Sequence, residues 1–136
     1  MNYGALNRIL KSAITAVDSD AIYISEGVTG LNKLKVNKSS VFVKGNITTS
    51  DSKLDGFTRI RTYNCRFFVL LPDSHSDNTG TDEIIYAAAT NSDLFINNIV
   101  KQGVVVNSSS ITNEVRRETV SVLSGVELTF SITVQA

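Results

Sequence analysis

The closing segment constrains the fold more than any other part of the chain. From Val120 on, the even positions are Val120, Val122, Val126, Leu128, Phe130, Ile132 and Val134, while Gly125, Glu127, Thr129, Ser131, Thr133 and Gln135 hold the odd ones. A period of two places alternate side chains on one face of an extended strand. The segment therefore predicts strand with one buried and one wet face, which needs partner strands and a covering layer elsewhere in the 136 residues. Ser124 and Gly125 interrupt the pattern, as a two-residue hairpin turn or as a bulge in one long strand.

The partners can be read upstream. Residues 57–71 form the longest β-like stretch, with Tyr63, Cys65, Phe67, Val69 and Leu71 on one parity and Thr58, Thr62, Asn64 and Arg66 on the other. From Phe67 to Leu71 both parities are apolar, which predicts a central strand covered on one face early and on both faces later. Shorter strands are expected at 21–25, 40–44 and 104–106. The covering layer comes from two helical patterns. Leu6, Ile9, Leu10, Ala13, Ile14 and Val17 recur at helical spacing behind a potential N-cap, Asn2, and Asp18 and Asp20 follow where the pattern ends. Residues 82–102 read as a second helical segment in one or two pieces, with a break possible at 90–92. The polar stretches 26–39, 45–56, 73–81 and 107–113 read as loops, and 73–81 in particular as an exposed one. The expected architecture is a single α+β domain over residues 1–136. Its sheet is mostly antiparallel, with an N-terminal amphipathic helix and a second helical segment packed on one face.

Composition bears on chemistry. One cysteine and one histidine supply neither a disulfide within the chain nor a Cys/His zinc cluster. No phosphate-binding glycine loop, H-E-x-x-H or C-x-x-C is found. His75 lies in the most polar loop and reads as solvated, and Cys65 sits on the apolar parity of a strand and reads as core. Asp73, Asp77, Asp82 and Glu83 are close in sequence, and acids at a helix start explain them. These features lead to an expectation of no enzyme activity and no cofactor. The longest apolar run, Phe67 to Leu71, is five residues, against the ~20 of a membrane-spanning helix. The N-terminal residues show no basic stretch followed by an apolar one, so no secretory signal is expected.

The formal net charge of zero conceals an asymmetry. Residues 1–66 hold ten Lys/Arg and five Asp/Glu, whereas residues 67–136 hold three and eight. Such a split suits a molecule with one basic and one acidic side. Lys33, Lys35, Lys38 and Lys44, with Arg59, Arg61 and Tyr63 on one strand parity, also raise the alternative of a nucleic-acid-binding module. The neutral total and the place of Tyr63 on the apolar parity argue against it.

In length and element order the chain resembles the tail terminator (tail completion) proteins of long-tailed bacteriophages. The features that carry the likeness are the amphipathic helix at 6–17, the strands at 40–44 and 57–71, the helical segment after a polar loop, and the closing alternating segment 114–134. The resemblance implies a virion structural protein of the tail or neck, made in the host cytoplasm. Copies of it, typically six, form a ring that caps the tail tube, stops its polymerisation and docks the head connector. It implies no cofactor and no membrane, and contact with DNA only as DNA passes the ring channel. A neck or head–tail joining protein has nearly the same sequence expectations. Long loops would make the contacts, and the candidate contact residues are Lys33, Lys35, Lys38, Lys44, Asp51, Lys53, Asp73, His75, Asp77, Arg116 and Arg117.

Overall fold

A computed structural model describes residues 1–25, 40–54, 58–74, 77–116 and 122–135. The described residues form an α+β fold: two helices and a mixed, mostly antiparallel six-stranded sheet, with the second helix packed against the strands. Helix α1 (Tyr3–Val17) begins where the Asn2 side chain accepts a hydrogen bond from the Ala5 N–H, and Asp18 caps its end through its backbone N–H to Ile14. Its buried residues Leu6, Leu10, Ala13 and Ile14 are those that the helical spacing singles out.

The strands are β1 (Ile22–Ile24), β2 (Val41–Lys44), β3 (Thr48–Leu54), β4 (Thr58–Pro72), β5 (Val105–Val115) and β6 (Leu123–Gln135). Their order is β1-β2-β4-β6-β5, with β3 also paired to β4. Among the described strands only β1 and β2 run parallel. β4 is the spine. One side pairs with β6 from Ile60↔Gln135 to Pro72↔Leu123. The other side takes β2 along its second half and β3 along its first. Between Lys44↔Phe67 and Thr48↔Asn64 the β2–β3 segment holds one residue more than β4 does. There the Gly45 N–H donates to the Arg66 carbonyl at 2.7 Å. An extra residue exchanges the two faces of a strand. The helix-side face therefore passes from Phe42 in β2, opposite Val69, to Thr49 in β3, opposite Tyr63.

Both helices lie on one face of the sheet. Helix α2 (Asn78–Val100) inserts Phe95 among Phe42, Phe67 and Phe130, with ring centroids 5.1–5.7 Å away. Edge-on contacts of this kind suit the aromatic quadrupole. α2 and the turn that follows it also hold α1 by polar bonds: Asn98 Nδ2 donates to the Ala13 carbonyl and Gln102 Nε2 to that of Ile9. On the opposite face a smaller cluster gathers Ile24, Val41, Val43, Leu70 and Leu123. This is the doubly apolar part of β4 that the sequence predicts.

Several expectations are corrected. Residues 45–56 were expected to be a turn-rich connection, but they contain β3, whose described side chains are exposed. The loop expected at 107–113 lies within β5, an eleven-residue strand. Both strands are paired but uncovered, so their side chains are polar, and Ser/Thr/Asn runs suit an open strand as well as a loop. The second helix has no break at 90–92, because the Ser92 hydroxyl turns back to the Ala88 carbonyl inside the helix. Ser124 and Gly125 are neither a hairpin nor a bulge, since β6 pairs with β4 in one register through both. Val122 is exposed rather than buried and has φ of 52°, a strained position for a β-branched residue.

Gly125 is required by close approach. A Cβ there would lie 2.0 Å from the Val69 carbonyl oxygen on β4, the central strand. The substitution Gly125→Ala is expected to cost about 3 kcal/mol or to prevent folding. Chemical denaturation followed by circular dichroism checks this, and a variant as stable as the parent would contradict the close approach.

Candidate functional site

The described candidate residues fall at different levels of the sheet and do not form one site. Lys33, Lys35, Lys38, His75 and Arg117 lie outside the described residues, and Lys53 is described only as part of the β3 backbone. Lys44 ends β2, half-buried, opposite Phe67. Asp51 of β3 faces Arg61 of β4 in register and accepts from its Nε at 2.9 Å and its Nη2 at 3.3 Å. That guanidinium holds the Asp51 carboxyl below its ordinary range. The pair is exposed, and solvent screening keeps its contribution to stability small. Tyr63 is core rather than a stacking platform: it is buried, and its hydroxyl donates to the Met1 carbonyl at 2.9 Å.

Asp73 corrects the loop reading most sharply. It is 1% exposed. The Thr81 hydroxyl, in the first turn of α2, donates to its Oδ2 at 2.8 Å, and the Ser124 hydroxyl of β6 does so at 2.7 Å. Its own N–H donates to the Val122 carbonyl. Asp73 thus ties the end of β4 to the start of α2 and the start of β6, and it is a structural residue rather than a contact residue. Asp77 is the N-cap of α2, accepting from the Gly80 N–H at 2.7 Å, so the helix starts earlier than the apolar pattern indicates.

Arg116, just past β5, bonds to Asp82 on α2 at 2.6 Å and to Glu114 at 2.9 Å. This triad stands at the rim of a groove of about 520 Å³ between α2 and β5. Ile85, Ala89, Ile111 and Val126 line it, with Tyr86 on one wall. Tyr86 is 76% exposed and Ile111 44%. A groove with apolar walls and a charged rim can seat a side chain of a partner. Sequence reasoning missed it. One signal was present: Tyr86 directly follows Ile85, a residue of the buried α2 stripe of Ile85, Ala88, Phe95 and Ile99, and so points away from the core.

Cys65 is buried in the core, and burial pushes its thiol up to about 12. Among the described residues no three His, Cys, Asp or Glu side chains are grouped to hold a metal ion. No described helix is long and apolar enough to cross a membrane. No protein-family model matches the chain, and no curated protein matches it.

Two outcomes are expected. Asp73→Ala strands two buried hydroxyls and is expected to cost about 2–4 kcal/mol, with Asp73→Asn costing less, by denaturant titration. The thiol of Cys65 is held protonated by the fold, so its ionisation favours unfolding. Its contribution to stability is full below the ordinary thiol pKa of about 8.5 and is lost as pH rises towards 12. A thiol reagent at pH 8 is expected to label Cys65 only after unfolding, and prompt labelling of the native protein would contradict its burial.

Proposed function

We propose that this chain is a virion structural protein, a phage tail terminator. Copies of it form a ring that caps the tail tube, stops its polymerisation and docks the head connector. The observation that carries the reading is how charge is distributed along the sheet. At one end Arg59 and Arg61 stand on the β3–β4 hairpin, where β3 also carries Lys53 and Asp51. At the other end Asp82 and Glu114 pair with Arg116, and exposed Asp77 and Glu83 stand at the start of α2. The thirteen-residue run of β4 from Ile60 to Pro72 separates the two ends by about 40 Å. A body with a basic and an acidic end can bridge two different surfaces, one on each side of a ring.

The α+β layout adds support, since its helix, central strand, helix and closing strand follow the order that the resemblance rests on. Its partners in this reading are other copies of the chain, the tail tube protein and the connector or neck proteins. DNA passes the ring channel, and no cofactor takes part.

The test is to incubate the purified protein with tail tubes encoded beside its own gene and image them by negative stain. Rings at one end of the tubes, with tube growth halted, are the expected result. Charge reversal at Arg59 is expected to weaken tube or connector binding several-fold, with an unchanged melting temperature. No association with tubes at low salt would count against the proposal.

A further inference from the structure

The surface carries one further feature that fits a second copy of this chain: the two open edges of its sheet. Among the described residues one edge is β5, and the other is β1 followed by β3. β5 is eleven residues long, and none of its residues is fully buried. The usual guards of an edge are charged side chains, proline, bulges and covering elements. Register shifts flank residues 108–111, but that stretch itself is regular and consists of Ser108, Ser109, Ser110 and Ile111. β3 likewise exposes Thr48, Thr49, Ser50, Asp51 and Ser52.

Two properties make these edges complementary. The first is direction. β3 is antiparallel to β4, β4 to β6 and β6 to β5, so β3 and β5 run in opposite directions. Copies related by rotation can therefore place β3 of one beside β5 of the next and continue the antiparallel ladder. The second is chemistry on the face away from the helices. There the internal pairings are joined by side-chain hydrogen bonds: Ser131 donates to Asn64 at 2.9 Å, Thr62 meets Thr133 at 3.4 Å, and Ser110 meets Thr129 at 3.2 Å. Both open edges present the same groups on that face, Thr48 and Ser50 on β3 and Ser108 and Ser110 on β5. Cross-strand Ser/Thr pairs stabilise a ladder wherever they meet.

We infer that copies of this chain join edge to edge, β5 of one pairing antiparallel with β3 of the next, in a head-to-tail contact that repeats around a ring. This deepens the ring reading above and rests on it for closure alone. Setting β3 against residues 108–111 staggers neighbouring copies along the strands, which is the tilt that a closing sheet requires. A ladder on the four residues 108–111 is only about 13 Å long, so one contact is weak. Closure gives every copy two contacts and stabilises the set.

Covalent capture tests the contact. Ser50→Cys and Ser110→Cys place thiols on exposed positions of the same face of β3 and β5. Within one copy they are three strand spacings apart, roughly 14 Å before any axial offset, and out of reach of a short bismaleimide. Buried Cys65 does not compete. The double variant is expected to give a ladder of linked species. A mixture of the two single variants is expected to stop at a dimer, and each single variant alone to stay unlinked. Ser108→Lys added to the double variant leaves both thiols in place and should abolish the ladder while leaving the melting curve unchanged. Dimers from S110C alone would overturn the inference in favour of symmetric β5 pairing, and an unlinked double variant, both in concentrated solution and on capped tubes, would overturn it outright. Tube capping without a ladder removes the edge pairing and leaves the tail reading, whereas a ladder without tube binding does the reverse.

Discussion

The packing of Phe95 against three phenylalanines of the sheet is the contact on which the rest of the molecule depends. Phe42, Phe67 and Phe130 come from β2, β4 and β6, three adjacent strands, and a single side chain of α2 touches all three rings. Each large aromatic removes some 150–250 Å² from water, so this cluster is a major share of the apolar burial that opposes chain entropy. It also sets the position of α2 over the sheet. α2 in turn sets the position of α1, through Leu, Ile and Ala packing and through the amide side chains of Asn98 and Gln102.

Around that centre the sheet divides into two regions. Near β1, β2 and the second half of β4 it is apolar on both faces. Along β3 and most of β5 the strands are held by pairing, with little cover. Strands in that condition cannot carry large apolar side chains on both faces without exposing them to water. Ser, Thr and Asn satisfy the requirement, and their hydroxyl and amide groups bond across the ladder. The high proportion of these residues is thus a consequence of extended, uncovered sheet. Among the described residues the same exposure leaves open edges and a rimmed groove beside α2.

The buried polar group Asp73 shows how one end of the sheet is held to the helix layer. A carboxylate inside a protein is tolerated only where it is fully hydrogen-bonded. Here the donors come from α2 and β6, so bonding it fixes the junction of β4, α2 and β6 in one arrangement. Pro72 ends β4 immediately before it.

Local pattern alone determined a good part of this protein. The apolar spacing of α1, its Asn2 cap, the alternation of β6 and the one-faced then two-faced character of β4 are all legible in the sequence, because each is a short-range periodicity imposed by backbone geometry. The α+β class follows from their order. Tertiary structure alone decided the rest. Residues 48–54 and 105–115 are strands because β4 and β6 offer them ladders, a long-range fact that no polar composition announces. The extra residue at 45–47 exchanges the faces of β2 and β3, and register is set across strands rather than within them. Asp73 looked like part of a solvated loop until Thr81 and Ser124 were brought to it from 8 and 51 residues away. The groove of Tyr86, Ile111 and Arg116 exists only where α2 meets β5. Periodicity reports which face of an element is buried, and only the assembled sheet reports what stands opposite that face.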